Sequence, residues 1–299
     1  MGLLGAIDYD PSTAVPKATS SRLGMTTLDT TNLRLTFTAP ANGYVMGRIR
    51  VNLQGATTFP TILLGILEST TVVARIVPQG GIPGAAATTV RVSQEALFVV
   101  PGVTSGSHTW DASYGVEILL ASTNINYGGP NNNSGANAWG GLQFELYDCP
   151  NLLGAKLYDP AAAVTKVMTS LLAMTAIDTS NLRITFTAPA SGKVLVRMKT
   201  AFHGSTTYGN CMLGVLDSTT VRARGTPLGA LKTTSLATTH VPLEHTAVVS
   251  GLTGGNSYTW DAAYAVQVIS GAGGIKYGGP NDTTTDNAFG AFQFEIWAL

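Results

Sequence analysis

Gly255-Asn256-Ser257-Tyr258-Thr259-Trp260-Asp261-Ala262-Ala263-Tyr264 opens the stretch that decides the fold, because the chain carries it twice. Its echo is Ser105-Gly106-Ser107-His108-Thr109-Trp110-Asp111-Ala112-Ser113-Tyr114. Downstream, Ile275-Lys276-Tyr277-Gly278-Gly279-Pro280-Asn281 repeats Ile125-Asn126-Tyr127-Gly128-Gly129-Pro130-Asn131. Asn287-Ala288-Phe289-Gly290-Ala291-Phe292-Gln293-Phe294-Glu295 repeats Asn137-Ala138-Trp139-Gly140-Gly141-Leu142-Gln143-Phe144-Glu145. Each copy reads as strand, turn, loop and closing strand. In the first strand Trp260, Ala262, Tyr264, Val266 and Val268 share one face, and Asp261 lies opposite. The last strand sends Phe292, Phe294 and Ile296 inward, and Gln293, Glu295 and Trp297 outward. The first copy does the same with Leu142, Phe144 and Leu146 against Gln143, Glu145 and Tyr147.

The duplication extends upstream over the whole chain. Asn32-Leu33-Arg34-Leu35-Thr36-Phe37-Thr38-Ala39-Pro40 matches Asn181-Leu182-Arg183-Ile184-Thr185-Phe186-Thr187-Ala188-Pro189. Alternation of Leu33, Leu35 and Phe37 with Arg34, Thr36 and Thr38 is the period of a half-buried strand. Pro40 stops it, and Ala41-Asn42-Gly43 supplies turn residues. The chain re-enters at Tyr44–Leu53, with Val45, Ile49, Val51 and Leu53 on one face. Val194, Val196, Met198 and Phe202 take that face in the second copy, so a β-hairpin is expected in both. Ile62–Glu68 and Val72–Val77 follow as strands joined by Ser69-Thr70-Thr71, and Thr89–Val99 as another. About eight short strands per repeat, with Gly, Pro and Asn turns and no amphipathic helix, predict a sandwich or barrel. The fold class is therefore all-β, two tandem jelly-roll β-sandwich domains, residues 1–149 and 150–299. The Thr/Ser/Ala-rich segments near Thr13–Thr27 and Ala161–Thr175 read as extended arms or as edge strands.

Bulk numbers narrow the function classes. The 299 residues hold 17 Lys plus Arg and 17 Asp plus Glu, giving a formal net charge of zero. No basic block offers the footprint of a nucleic-acid binder. The charged fraction, 11%, is under half the ~25% usual in soluble domains, and Thr, Ser, Asn and Gly carry the polarity instead. Such a surface repels weakly and suits broad packing against other subunits. The N-terminus, Met1-Gly2-Leu3-Leu4-Gly5-Ala6-Ile7-Asp8, lacks the basic n-region of a signal peptide. No window approaches the ~20 apolar residues of a membrane span. Synthesis in the cytoplasm is expected. Cys149 and Cys211 have no twins across the repeats, so both read as free thiols, with Cys211 as core filler in place of Ile62.

A search for chemistry returns little. His108, His203, His240 and His245 each lack a counterpart, and they read as surface or loop histidines rather than metal ligands. Asp282 and Asp286 share a loop that can be read as a calcium site or as plain turn chemistry. Polar residues shared by both copies are Asp29/Asp178, Arg34/Arg183, Arg48/Arg197, Arg75/Arg224, Asp111/Asp261 and Glu145/Glu295. Arg48 and Glu145 are expected to form a cross-strand pair. Tyr127 and Tyr277, in their Tyr-Gly-Gly-Pro segments, read as anchors of a tight turn, with a sugar-binding tyrosine as the alternative. No catalytic, cofactor-binding or metal-ligating residue is assigned.

The strand-Ala-Pro-x-x-Gly-strand element (Phe37–Val45, Phe186–Val194) and the closing Phe289–Trp297 strand resemble tapered jelly rolls of the tumour-necrosis-factor-like type, which are typically trimers. The Trp260-Asp261-Ala262-Ala263-Tyr264 and Tyr277-Gly278-Gly279-Pro280-Asn281 pair is similar to the small jelly-roll head decoration (cement) proteins of tailed bacteriophages. The resemblance implies a virion protein on the capsid exterior that binds the major capsid protein and its own copies, as a homotrimer, and binds neither nucleic acid nor membrane. The alternative is a phage tail or receptor-binding protein whose loops, such as Asn131–Asn137, recognise glycans.

Overall fold

A computed structural model describes residues 1–18, 25–55, 62–76, 91–116, 124–129, 140–162, 164–167, 173–204, 211–225, 241–266, 274–278 and 290–299. The chain divides into two compact units, Met1–Cys149 and Pro150–Leu299. All regular structure among the described residues is β, and no helix there is long and apolar enough to cross a membrane.

In the first unit the strands are β1 (Leu3–Tyr9), β2 (Val15–Ala18), β3 (Thr26–Thr27), β4 (Arg34–Thr38), β5 (Val45–Gly55), β6 (Ile62–Glu68), β7 (Thr71–Ile76), β8 (Arg91–Val100), β9 (Ser107–Val116), β10 (Asn124–Tyr127) and β11 (Leu142–Asp148). Their antiparallel pairings nest: β1 with β11, β4 with β9, β5 with β8, and β6 with β7. First-with-last pairing that closes inward on a central hairpin is the jelly-roll wiring. Successive principal strands therefore fall into two sheets. One holds β8, β5, β11 and β1, with β10 and β2 continuing the row beside the far half of β5. The other holds β7, β6 and β9, with β4 and β3 end to end along β9.

The second unit repeats the plan. Its strands are β12 (Leu152–Tyr158), β13 (Val164–Val167), β14 (Thr175–Ala176), β15 (Arg183–Thr187), β16 (Val194–Gly204), β17 (Cys211–Asp217), β18 (Thr220–Arg224), β19 (Val241–Val249), β20 (Ser257–Val266), β21 (Gly274–Tyr277) and β22 (Phe292–Ala298). Here the nested pairs are β12 with β22, β15 with β20, β16 with β19, and β17 with β18. Seven of the nested strands are the ones the sequence names; β1, which completes the eight, and the short β2, β3 and β10 are additions, as are their twins. The segments read as arms or edge strands are edge strands where described: Val15–Ala18 runs along β10 and Val164–Val167 along β21.

One expectation fails instructively. Strands β4 and β5 do not form a hairpin: β4 bonds to β9, and β5 bonds to β8, β10 and β11. The Pro40–Gly43 turn instead carries the chain from one sheet to the other. The Gly43 amide donates to the Pro40 carbonyl at 2.9 Å, and the Gly43 carbonyl accepts from Val103 N–H at 2.9 Å. The turn is thus tied to the loop after β8 rather than closing a ladder. In the second unit Ile184 and Phe186 of the matching strand share one buried core with Val194, Val196 and Met198, so the two strands meet through the core and not through a ladder. Both sheets must bury an apolar face, and stacking those faces removes more apolar area than pairing their edges.

The core of the second unit gathers Trp260, Tyr264, Phe292, Phe294, Phe202 and Tyr277, each at most 1% exposed. Phe186 packs edge-on against Trp260 with ring centroids 4.8 Å apart, and Phe37 repeats this on Trp110 at 4.8 Å. Cys211 lies in this core at 1% exposure, where burial pushes its thiol up to about 12. Cys149 is also buried and free of a disulfide.

Candidate functional site

The polar residues common to both copies are the natural candidates for a site, and the structure shows where each is used. Arg34 on β4 stands directly across from Asp111 on β9. Its Nε and Nη2 donate to the two carboxylate oxygens at 2.7 and 2.9 Å. Arg183 clasps Asp261 with the same two distances. Asp111 and Asp261 were expected on an open outer face; they keep that face but are 1% and 3% exposed. A bidentate guanidinium spread over a carboxylate shields it and satisfies both oxygens. Alongside, Thr36 and Thr109 hydroxyls bond at 3.0 Å, as do Thr185 and Thr259 at 2.9 Å. These rows of cross-strand pairs hold β4 to β9 and β15 to β20.

The expected Arg48–Glu145 pair is present at 3.4 Å, and its twin Arg197–Glu295 is tighter at 2.9 Å. Arg48 has a shorter contact, 2.8 Å, to Glu95 on β8, whose counterpart in the second copy is Glu244. The Tyr147 hydroxyl donates to Glu145 at 2.9 Å, and Trp297 Nε1 takes over that role on Glu295 at 2.9 Å. The outward residues of β22 are also less open than alternation suggests: Gln293 and Glu295 are 2% and 1% exposed. Lys199, on the same face, lies 3.5 Å from Glu244, and burial dominates in pulling its amine below the ordinary range. Of the remaining pair, Arg75 is buried whereas Arg224 is exposed.

Asp29 and Asp178 cap turns. Asp29 Oδ1 accepts from the amides of Thr31 and Asn32 at 2.8 and 2.9 Å, and Oδ2 from Asn32 Nδ2 at 3.0 Å. Asp178 accepts the equivalent three bonds from Ser180 and Asn181. Burial pushes both carboxyls up, but the donated hydrogen bonds outweigh it and hold them below the ordinary aspartate value.

Tyr127 and Tyr277 close the list, and both are 0% exposed. Burial, reinforced by the charge of Asp29 or Asp178, drives their hydroxyls upward. Gly128 and Gly278, at φ +66° and +65°, lie so close to Pro11 and Pro160 that a Cβ would meet Cγ at 2.2 and 2.3 Å. The Tyr-Gly segment is a packing seat for the Asp-Pro that follows β1 or β12, so the sugar-binding reading of Tyr277 is withdrawn. Asn131–Asn137, Asp282 and Asp286, the loops offered for glycan or calcium, lie outside the described residues. No group of three His, Cys, Asp or Glu among the described residues is placed to hold a metal.

The histidines divide. His108 is a half-buried brace: Nδ1 lies 2.9 Å from Glu68 Oε1 and Nε2 lies 2.8 Å from the Thr104 carbonyl. The Thr104 bond first, with Glu68 adding to it against burial, raises its pKa above 6.5. In the second unit Tyr258 replaces it, its hydroxyl accepting from Thr253 N–H at 3.0 Å. Because the folded state favours the imidazolium, its stabilisation is full below the ordinary imidazole pKa and fades as pH rises through the raised value. The NMR titration midpoint of His108 should therefore exceed 6.5, and Glu68→Gln should lower it; an unmoved midpoint would remove Glu68 from this role. His245 is not at the surface: it is 8% exposed on β19. The side chain of His203, and all of His240, lie outside the described residues.

What the arrangement can do chemically is hold sheets together. No protein-family model and no curated protein matches the chain. Several solved structures show a weak likeness to the chain. A peptide-N(4)-(N-acetyl-β-D-glucosaminyl) asparagine amidase is 12% identical, covering 98% of this chain and 96% of that one, with a TM-score of 0.38. The infectious bursal disease virus VP2 subviral particle is 8% identical, covering 100% of this chain and 84% of that one, at 0.28. The CBM22-1–CBM22-2 tandem domain from Paenibacillus barcinonensis Xyn10C is 9% identical, covering 98% and 93%, at 0.23. At such scores and identities these likenesses carry no argument about function.

Proposed function

We propose that the chain is a structural virion protein: a capsid decoration protein that binds the major capsid protein and neighbouring copies of itself on the outside of a phage head. The observation that supports this reading is the use made of the shared polar residues. Arg34–Asp111, Arg183–Asp261, Arg48–Glu145 and Arg197–Glu295 are each engaged in cross-strand pairs within one unit. What two copies of the fold keep in common thus holds the sandwich together, and the function falls to the surface. A chain with a charged fraction of only 11% is suited to broad contacts of the kind that bury ~1,200–2,000 Å² in stable interfaces. The proposal assigns no catalytic residue, and it takes the assembly to be a homotrimer of two-unit chains.

Quantitative mass spectrometry of purified virions, with antibody labelling seen by electron microscopy, tests it. The expected result is a many-copy component distributed over the head. Label confined to the tail would transfer the chain to the receptor-binding reading, and absence from virions would end both.

A further inference from the structure

The second unit places a histidine against a glycine where the first unit places an alanine against an isoleucine. In the first unit, Ala96 on β8 lies across from Ile49, and Ile76 at the end of β7 lies across from Leu64. Both are buried, at 1% and 2% exposure. The matched positions of the second unit are His245, across from Met198, and Gly225, whose amide donates to the Leu213 carbonyl at 2.7 Å. A Cβ built on Gly225 would stand 2.7 Å from His245 Nδ1 and 3.1 Å from its Cγ. The imidazole therefore occupies the place where a side chain at 225 would go. One unit sets a large residue beside a small one, and the other reverses them.

The exchange keeps one large residue beside one small one but changes the chemistry. His245 is 8% exposed and its Nε2 has no hydrogen-bond partner. The charged side chains on the strands around it are Arg197 and Lys199 on β16, Asp217 on β17, Arg222 and Arg224 on β18, and Glu244 on β19 itself. Alternation turns Arg197, Lys199 and Glu244 to the opposite face of their sheet. Arg222 and Arg224 flank the inward-packed Ala223 and face away from the core, and Asp217 is held by Arg222 at 2.6 Å. The Cys211 thiol, on the inner face of β17, stays neutral. Among the described residues, then, no carboxylate shares the imidazole's side of the sheet to balance a positive charge, which is costly to bury unpaired.

We propose that His245 is an acid-sensitive latch in the second unit: protonation loosens the seam between β18 and β19, while the first unit, filled there by Ile76 and Ala96, stays closed. Burial alone pulls the imidazole below its ordinary pKa. The folded unit accordingly binds fewer protons than the unfolded one in that window. Its stability is full above the ordinary imidazole value and is lost as pH falls through it toward the lowered one, by up to about tenfold in the opening constant per pH unit. His108 acts in the opposite sense on the first unit.

Hydrogen–deuterium exchange on the full chain between about pH 7.5 and about pH 5, corrected for intrinsic rates, tests the latch. Protection of Val241–Val249 should fall over that range while Arg91–Val100 holds. The double substitution Gly225→Ile with His245→Ala, which installs the first unit's pair, should abolish the difference. His245→Gln, neutral at every pH, should also flatten the response and serves if the double variant does not fold. Equal acid responses in the parent and either folded variant, or no response in the parent, would overturn the proposal.

Discussion

Tyr277→Ala will destabilise the second unit before it reveals anything about binding. The ring is fully buried and packs on Phe292 at 5.8 Å and Tyr158 at 6.3 Å. Emptying such a site typically costs about 3–5 kcal/mol, which for a unit of this size corresponds to a melting-point loss of roughly 10–15 °C. Differential scanning calorimetry of the full chain should show one transition moving and the other staying. Tyr277→Phe keeps the ring and should remain within about 1.5 kcal/mol of the parent. A thermally silent Tyr277→Ala would mean that the tyrosine is not a core residue and would reopen its reading as a ligand contact.

The second large effect is expected at Gly65. A Cβ there would lie 2.0 Å from the Ala74 carbonyl oxygen and 2.9 Å from Met25 Cε. The register of β6 and β7 shifts next to this point, between Ile66 and Leu67. The atom in the way is backbone, which cannot move aside as a flexible side chain can. Gly65→Ala should cost about 2–3 kcal/mol by overpacking. Its twin Gly214, with Ala223 O at 2.5 Å and Met174 Cε at 2.3 Å, should cost a similar amount in the other unit. Gly102 is the control. Its φ is +71° but nothing lies within 4 Å of a Cβ, so alanine there meets only backbone strain of about 1 kcal/mol. If Gly65→Ala and Gly102→Ala lowered stability equally in urea titrations, the close approach at residue 65 would be refuted.

Much of this architecture was legible in the residues. Alternation placed Leu35, Phe37, Val45, Ile49, Phe144 and Phe294 in the core, because a strand with one buried face writes a period of two. Duplication flagged Arg34, Asp111, Arg48 and Glu145 as belonging together. Facing paired Arg48 with Glu145, but nothing in the residues joined Arg34 to Asp111 or added Glu95 to Arg48, since cross-strand partners lie far apart in the chain and register is a three-dimensional property. The turn Pro40–Gly43 shows the limit most clearly. Its residues signal a reversal, and a reversal within a sheet and one between sheets use the same turn chemistry. Only the competition among all strands for partners decides that β4 goes to β9. The burial of Gln293 and Glu295 was likewise invisible, because parity gives the side of a sheet but not what covers it. The exchange of Ile76 and Ala96 for Gly225 and His245 was present in the repeat from the start. Twenty residues separate its two halves, and it acquires meaning only when β18 and β19 bring them into contact.

In the proposed function both units are scaffolds whose work is done at the surface. The most direct test is reconstitution: the purified chain is titrated onto expanded heads that lack decoration, and occupancy is counted by electron cryomicroscopy. The expected result is saturable density at symmetry-related sites on the outside of the shell, with adjacent copies in contact. Heads that remain bare at saturating protein, with the chain folded and monomeric, would contradict it.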